Sequence, residues 1–480
     1  MALTRVKFEE WYPDQPHLLG ALKDAKNVIP TTTGYTYFNN AEAISNSAAQ
    51  NLIRVFPAKF GTQTQLFAAS ASKLYKYASA DLDLDDVSKL SGGTPSSYTT
   101  TDRWSFTQFG TKLIGANKHD TLQAWTIGTS TNFDDLDASA PSPYYVTVVR
   151  DFVVCARDSS NPSKVFWSDI NDETDWTPAT TSQSDTQIIP DGGNILGITG
   201  GEFGLVLLER GIHRMSYIGS PFYFQFDNIS RGIGCFAEGS ITQYGQITFF
   251  LSDDGFYMCN GSQVTPIGTQ KVDRFFFNDL NSASLANLSS AVDPINKLVI
   301  WCYPNNNDEQ ALLIYNWQIQ KWSRAVVDVD FISTGAIPSV TLEGLDLYSS
   351  SIDDLTTSLD SRLWVGGNYA LAGVKDDKIV TFTGNKLSGE IVTGDIDTQG
   401  NSIINLARPL VENGSANVSV ASRIAPSDTI TFPAYVSPSS ENRVPLRAVG
   451  RFHRVKVQPT GDNWDSAVAI DLEVNRLGTR

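Results

Sequence analysis

The sequence predicts an all-β chain: a six-bladed β-propeller with an extended N-terminal arm and additional C-terminal β strands. Three observations carry that expectation. Trp, Tyr and Phe number 10, 17 and 25, and with abundant Gly and Thr they favour strands over helices. Comparable apolar strands near Leu74, Leu113, Val154, Val206, Phe250 and Ile300 lie 39, 41, 52, 44 and 50 residues apart. Four short strands with their loops fill about that length, which is the period of a propeller blade. Each unit also repeats one plan: a strand, a turn bearing Gly, Asp or Asn, then a second strand ending in an aromatic. Blades cannot bury both faces alone, so stacking them around an axis completes the core. A pair of β-sandwiches with irregular loops is the other arrangement these strands allow.

The elements follow in order. Residues 1–50 read as an extended arm laid against a body, because Trp11-Tyr12-Pro13-Asp14-Gln15-Pro16 is turn-like and its aromatics are anchors. A short helix is expected near residues 41–49. Residues 51–384 form the propeller body. Within it, the acidic run 81–86 reads as a connection that interrupts the pattern, and 275–290, with Leu280, Leu285 and Leu288, as irregular or helical, the helical form being a small helix packed on the rim. Trp176 and Trp322 follow similar turns and are read as repeat-equivalent. Leu363-Trp364-Val365-Gly366-Gly367 and Leu371-Ala372-Gly373 are strand-and-turn units, and Ile379 begins the next strand. Residues 385–480 alternate apolar and polar more cleanly, as strands with one wet face do. They form either a small tip or accessory domain or strands that complete the propeller.

Composition narrows the function. The chain has 480 residues with 36 basic and 52 acidic side chains, a formal net charge of -16. That balance opposes a sequence-independent nucleic-acid clamp, which needs a basic groove. It suits a wall past which DNA moves without sticking, because like charge lowers affinity for phosphates. The start of the chain shows no apolar signal-peptide core, and the longest apolar runs fall far short of the roughly 20 residues that span a membrane. Cys155, Cys235, Cys259 and Cys302 are widely spaced and read as free core thiols, with no metal-ligand spacing.

Chemistry-bearing constellations are sparse. No phosphate-binding Gly loop, nucleophile elbow or zinc-protease helix is present. Asp169, Glu209, Asp253 and Asp254 are the candidates for a paired-carboxylate glycosidase site. They sit in turns or beside strands, and Asp253-Asp254-Gly255 is a hairpin signal first. The oxygen-rich run 169–175 reads as a solvated loop, with calcium binding as the alternative. Arg210, Arg214 and Arg231 are expected in salt bridges within or between subunits, with phosphate contact as the alternative. Arg443, Arg447, Arg451, Arg454 and Lys456 form a local basic patch suited to an acidic partner.

The order of several segments resembles a known family. These are Trp11-Tyr12-Pro13-Asp14-Gln15-Pro16, Asn27-Val28-Ile29-Pro30, Gly34-Tyr35, Lys73-Leu74-Tyr75, Glu209-Arg210-Gly211-Ile212-His213-Arg214, Ser252-Asp253-Asp254-Gly255-Phe256-Tyr257 and the stretch from Trp317 to Trp322. In that order they resemble the tail hub, or nozzle, proteins of short-tailed bacteriophages, which include the packaged-DNA stabilisation proteins. The resemblance covers nearly the whole chain.

It implies a non-enzymatic virion protein with no cofactor, metal or catalytic residue, assembled in the cytoplasm of the bacterial host. It implies a homo-hexameric ring below a head-to-tail adaptor, bearing tail fibre or spike and needle or plug proteins. Genomic double-stranded DNA would pass through the ring without specific binding, and no stable membrane insertion is implied. The expected assembly and anchor residues are Trp11, Tyr12, Tyr35, Arg210, Arg214, Arg231, Arg451 and Arg454. Two other functions fit an all-β chain of this kind: a propeller glycan hydrolase or lyase, and a receptor-binding tail module.

Overall fold

Alternating strands and tight turns give antiparallel meanders, and the architecture follows from stacking them. The computed structural model describes residues 2–15, 20–61, 63–336, 351, 369–461 and 464–477. The expected strand-and-turn unit at 363–367 lies outside the described residues.

Six separate four-stranded antiparallel sheets are the blades of a β-propeller, as the repeat spacing predicts. Five are continuous in sequence: 52–86, 105–135, 145–188, 195–231 and 242–266. The sixth takes Phe331–Ala336, Tyr369–Lys375 and Lys378–Thr381, and borrows its outermost strand, Glu42–Ala43, from the arm. A further four-stranded meander, 289–326, stands in the circuit between the blades at 242–266 and 331–381. Its innermost strand, Ser289–Asp293, packs on Thr242–Tyr244 at one side and on Phe331–Ala336 at the other. Phe331–Ala336 in turn packs on Leu52–Phe60, so the first and last blades meet.

Buried tryptophans lock neighbouring blades. Trp104 is fully buried and its Nε1 donates to the Ser70 carbonyl of the preceding blade at 3.0 Å. Trp301 and Trp322 stack at 5.8 Å. Their indole N–H groups donate to the carbonyls of Ser240 and Ile267, also one blade back. A buried aromatic contributes most when its one polar atom is satisfied. Trp176 is not their equivalent: it is half-buried in a loop and its Nε1 turns back to the Glu173 carbonyl. All four cysteines are buried and free, as expected.

The acidic run at 81–86 is no interruption. Leu84–Asp86 is the outer strand of the first blade, and Asp86 pairs with Lys73 at 2.9 Å. Charge on an outer strand discourages further pairing. The expected helix near 41–49 is absent as well. Glu42–Ala43 pairs with Val380 and Thr381, and Ile44 donates to the Ile379 carbonyl. An open sheet edge offers those backbone groups partners that outweigh local helix propensity. The segment 275–290 is helical in part: an α-helix runs over Asp273–Asp279 and contains none of the three leucines, and a tighter helical turn at Ser282–Asn287 holds Leu285.

The meander at 289–326 continues outward into a thirteen-stranded sheet with the arm and the C-terminal strands. The long strand Val444–Thr460 pairs with Ile396–Glu412 along its first half and with Ser415–Arg423 along its second. It alternates buried and wetter positions, the one-wet-face pattern read from the sequence. The partner change falls at His453, which is wholly buried. Its two ring nitrogens share hydrogen bonds of 2.7 Å with the hydroxyls of Ser402 and Ser422, one from each partner strand.

Candidate functional site: the propeller channel and the arm seam

Innermost strands that start at the same end of a propeller bring their first residues to one mouth of the channel. A cavity of about 330 Å³ opens there, lined by Arg54, Arg103, Glu238, Ser290, Ser333 and other residues. Arg103 reaches across it. Its Nε lies 3.6 Å from Glu238, and its Nη2 donates to the Ala286 carbonyl at 3.4 Å. Gly239 permits this approach: a Cβ there would lie 1.8 Å from the Leu288 carbonyl oxygen and 3.2 Å from Arg103 Nη1. Glu238 also faces Arg157 at 3.7 Å.

Two guanidinium groups, those of Arg103 and Arg157, therefore face one carboxylate, and a third, that of Arg54, lines the same cavity, in a chain that is acidic overall. Arg54 has no carboxylate partner among the described residues; its Nη1 donates to the Trp104 carbonyl at 3.1 Å. Burial pulls its guanidinium down to about 10, and the nearby charge of Arg103 adds to the fall. It stays protonated at neutral pH. Glu238 is the one carboxylate among the residues lining this cavity. Asp169, Glu209, Asp253 and Asp254 are not among them, so the candidate carboxylates do not converge there. Asp254 accepts from the Tyr257 hydroxyl at 2.8 Å, and Asp169 accepts from the backbone N–H groups of Ile170 and Gln183. No cluster of three or more metal-ligating side chains occurs among the described residues.

The second concavity lies where the arm meets the propeller. Trp11 is buried, donates to the Lys23 carbonyl at 3.1 Å and meets Phe275 edge-on at 5.1 Å. Tyr12 lies under the Lys271 ammonium, 5.3 Å from the ring centre. Tyr35 is buried and donates to the Glu9 carbonyl at 3.0 Å. These three expected anchors hold the arm to its own chain. Asp14 then accepts from the backbone N–H groups of Arg274 and Phe275, at 2.8 and 2.7 Å, and so caps the rim helix from the arm.

Beside this cap, Asp273 is buried against Gly255, where a Cβ would lie 2.3 Å from its carboxylate. Burial pushes the Asp273 carboxyl up to about 7. Asp14 and Asp254 add to the rise, and the Phe256 N–H opposes it.

The expected arginines fall into two groups. Arg210, in a turn, and Arg231, the last residue of strand Tyr223–Arg231, are exposed in the 195–231 blade. Arg214 packs over Phe203 at 4.5 Å and donates to the Gly261 carbonyl at 3.4 Å. None of the three makes the expected salt bridge within the described residues. Arg451 and Arg454 pair with Asp397 and Asp395, at 3.1 and 3.0 Å, and Lys456 pairs with Glu390 at 2.6 Å. Three of the five residues of the basic patch thus meet acids that its own sheet brings beside them, while Arg443 pairs with the nearby Glu441.

Sequence reasoning passed over Arg54, Arg103 and Glu238. Each stands alone in its own segment, and only closure of the ring brings them together. It also passed over the hairpin of Gly211–Gly219 and Tyr223–Arg231, whose tip leaves Phe222 73% and Ile218 52% exposed.

No family model matches the chain, and no curated protein matches it. A solved structure titled "Structure of U3-55K" aligns over 62% of this chain and 88% of its own, at 11% identity and a TM-score of 0.40.

Proposed function

We propose that this propeller is a structural subunit of a short bacteriophage tail, a hub or nozzle protein that assembles as a closed ring below an adaptor. The ring, rather than the propeller's own channel, would carry the DNA. A cavity of about 330 Å³ crossed by Arg103 is far too small for a duplex.

The observation that carries the reading is the projecting hairpin. Its strands are nine residues each, against three to five for most strands of the adjoining blades, and its tip presents Phe222 and Ile218 to solvent. A ring needs a heterologous contact in which one surface of each subunit seats on a different surface of the next. An exposed apolar tip on a rigid stem supplies one half of such a contact. The resemblance of the segment order to that of tail hub proteins supports the same reading, as does the net charge of -16, which would keep a ring lumen from gripping phosphates.

Native mass spectrometry and negative-stain imaging, of the protein alone and mixed with its adaptor, test the proposal. A closed ring that Phe222→Asp disperses supports it. A monomer that ignores the adaptor overturns it and directs attention to a glycan hydrolysis screen.

A further inference from the structure

Three neighbouring innermost strands bring unsatisfied donors to one level of the channel. Arg54 is the third residue of Leu52–Phe60, Ser333 the third of Phe331–Ala336 and Ser290 the second of Ser289–Asp293. These strands pack side by side around the axis. All three residues line the same cavity. Arg54 Nε, Ser290 Oγ and Ser333 Oγ are each sealed from bulk solvent with no hydrogen-bond partner, and Ser333 as a residue is 5% exposed.

Buried donors left without acceptors are expensive, at about 1–3 kcal/mol each, and folded proteins rarely keep several at one site without a reason. The charge at this site has one sign in excess. Arg103 and Arg157 share the single carboxylate of Glu238, and Arg54 has none. A group that accepts from two hydroxyls and a guanidinium while offsetting surplus positive charge is a small oxyanion.

We infer that the mouth of the propeller channel is an oxyanion site of the phosphate or sulfate class. Arg54 and Arg103 would supply charge, and Ser290 and Ser333 would supply neutral donors. A tetrahedral oxyanion has enough lone pairs to satisfy all of them at once. Bound there, it would tie the first blade, the last blade and the 289–326 meander together across the point where the ring closes. The inference does not rest on the tail-hub reading, since it concerns a single subunit.

The test is isothermal titration calorimetry of the full chain with inorganic phosphate, at constant ionic strength against chloride, with thermal unfolding followed in parallel. Saturable binding and a raised Tm are expected. Arg54→Gln should weaken binding about tenfold or more, the loss typical of a charge-assisted hydrogen bond. Ser333→Ala and Ser290→Ala should each weaken it severalfold without lowering the phosphate-free Tm, since each removes an unsatisfied buried hydroxyl. Arg210→Gln, an exposed arginine of another blade, should bind as the parent does. If Arg54→Gln fails to fold, the two serine variants decide. Absence of saturable binding would mean that ordered water alone fills the cavity, and would overturn the inference. Equal weakening by Arg210→Gln would overturn it too, because it would mark general charge screening.

Discussion

The propeller and the C-terminal sheet use the same materials in opposite ways. A blade is closed in sequence: 52–86 or 145–188 makes its own four strands and meets its neighbours through buried aromatics such as Trp104. The large sheet is open in sequence. Ala2–Lys7 pairs with Ser466–Arg476, and Asp24–Lys26 sits between Lys321–Val326 and Glu390–Val392. Bidentate ion pairs fasten these long-range junctions: Arg5 on Asp471 at 2.8 and 2.9 Å, and Arg324 on Asp24 at 2.7 and 2.6 Å. Local units need only hydrophobic stacking to find their place. Segments hundreds of residues apart gain register from directional pairs.

Large-to-small substitutions at the two kinds of junction should separate the regions most sharply. Trp104→Ala and Trp11→Ala should each cost about 3–5 kcal/mol in chemical denaturation. Their footprints in hydrogen exchange should differ. Trp104→Ala should release amides mainly in 52–135. Trp11→Ala should release the arm, the helix Asp273–Asp279 and strand Glu390–Val392 together, because the arm contacts all of them. Identical footprints would erase the distinction between locally and distantly assembled regions.

A smaller effect is expected at the arm's ion pair. Asp24→Ala leaves the Arg324 guanidinium, whose side chain is 25% exposed, without its carboxylate. Loss of about 1–3 kcal/mol is expected in the same assay. Arg5→Ala should cost less, because Arg5 is 58% exposed and water replaces its partner readily.

The same contrast governs what the sequence made legible. Blade spacing was readable because each blade is local, so strand period and turn chemistry repeat along the chain. The free buried cysteines were readable from their wide spacing. The fate of 41–49 was not, since the edge that captures Glu42–Ala43 is more than 330 residues away. The internal pairing of the basic patch leaves no local trace, because Asp395, Asp397 and Glu390 are distant in sequence from Arg451, Arg454 and Lys456, though adjacent in the sheet. The channel site left no local trace either. Two of its contributors are serines at strand starts, and Arg54 carries no motif. Arg210, Arg214 and Arg231 cluster in sequence, yet none of them forms an ion pair among the described residues.

Two buried titrating groups, one per region, should give pH slopes of opposite sign. Burial lowers the pKa of His453 in the C-terminal sheet below its ordinary 6.5. As pH falls below about 6.5, the unfolded chain takes up a proton that the folded chain resists, so stability should fall. Asp273 at the arm seam has its pKa raised to about 7 from 3.8. Between about pH 4 and 7 the folded chain holds a proton the unfolded chain has lost, so stability should fall as pH rises through that window. Tm against pH for His453→Gln and Asp273→Asn reads the two separately. Each variant should flatten its own slope and leave the other. A His453→Gln profile parallel to the parent's would show that this imidazole does not contribute to the acid limb.

The smallest effect should come from the most conspicuous charges. Arg451 makes two hydrogen bonds to Asp397, at 3.2 and 3.1 Å, but the side chains are 47% and 34% exposed. Water and salt recover most of what such a pair gains, so Arg451→Ala should leave stability nearly unchanged. Arg454 differs only in company. Its Asp395 partner also binds Arg423, and those side chains are 20%, 25% and 13% exposed. Arg454→Ala should therefore cost more than Arg451→Ala, and the gap should persist at high salt because the inner pair is shielded from it. If the two variants prove equal, the arginines of this sheet serve solubility alone. The register of Val444–Thr460 would then rest on its buried alternation and on His453.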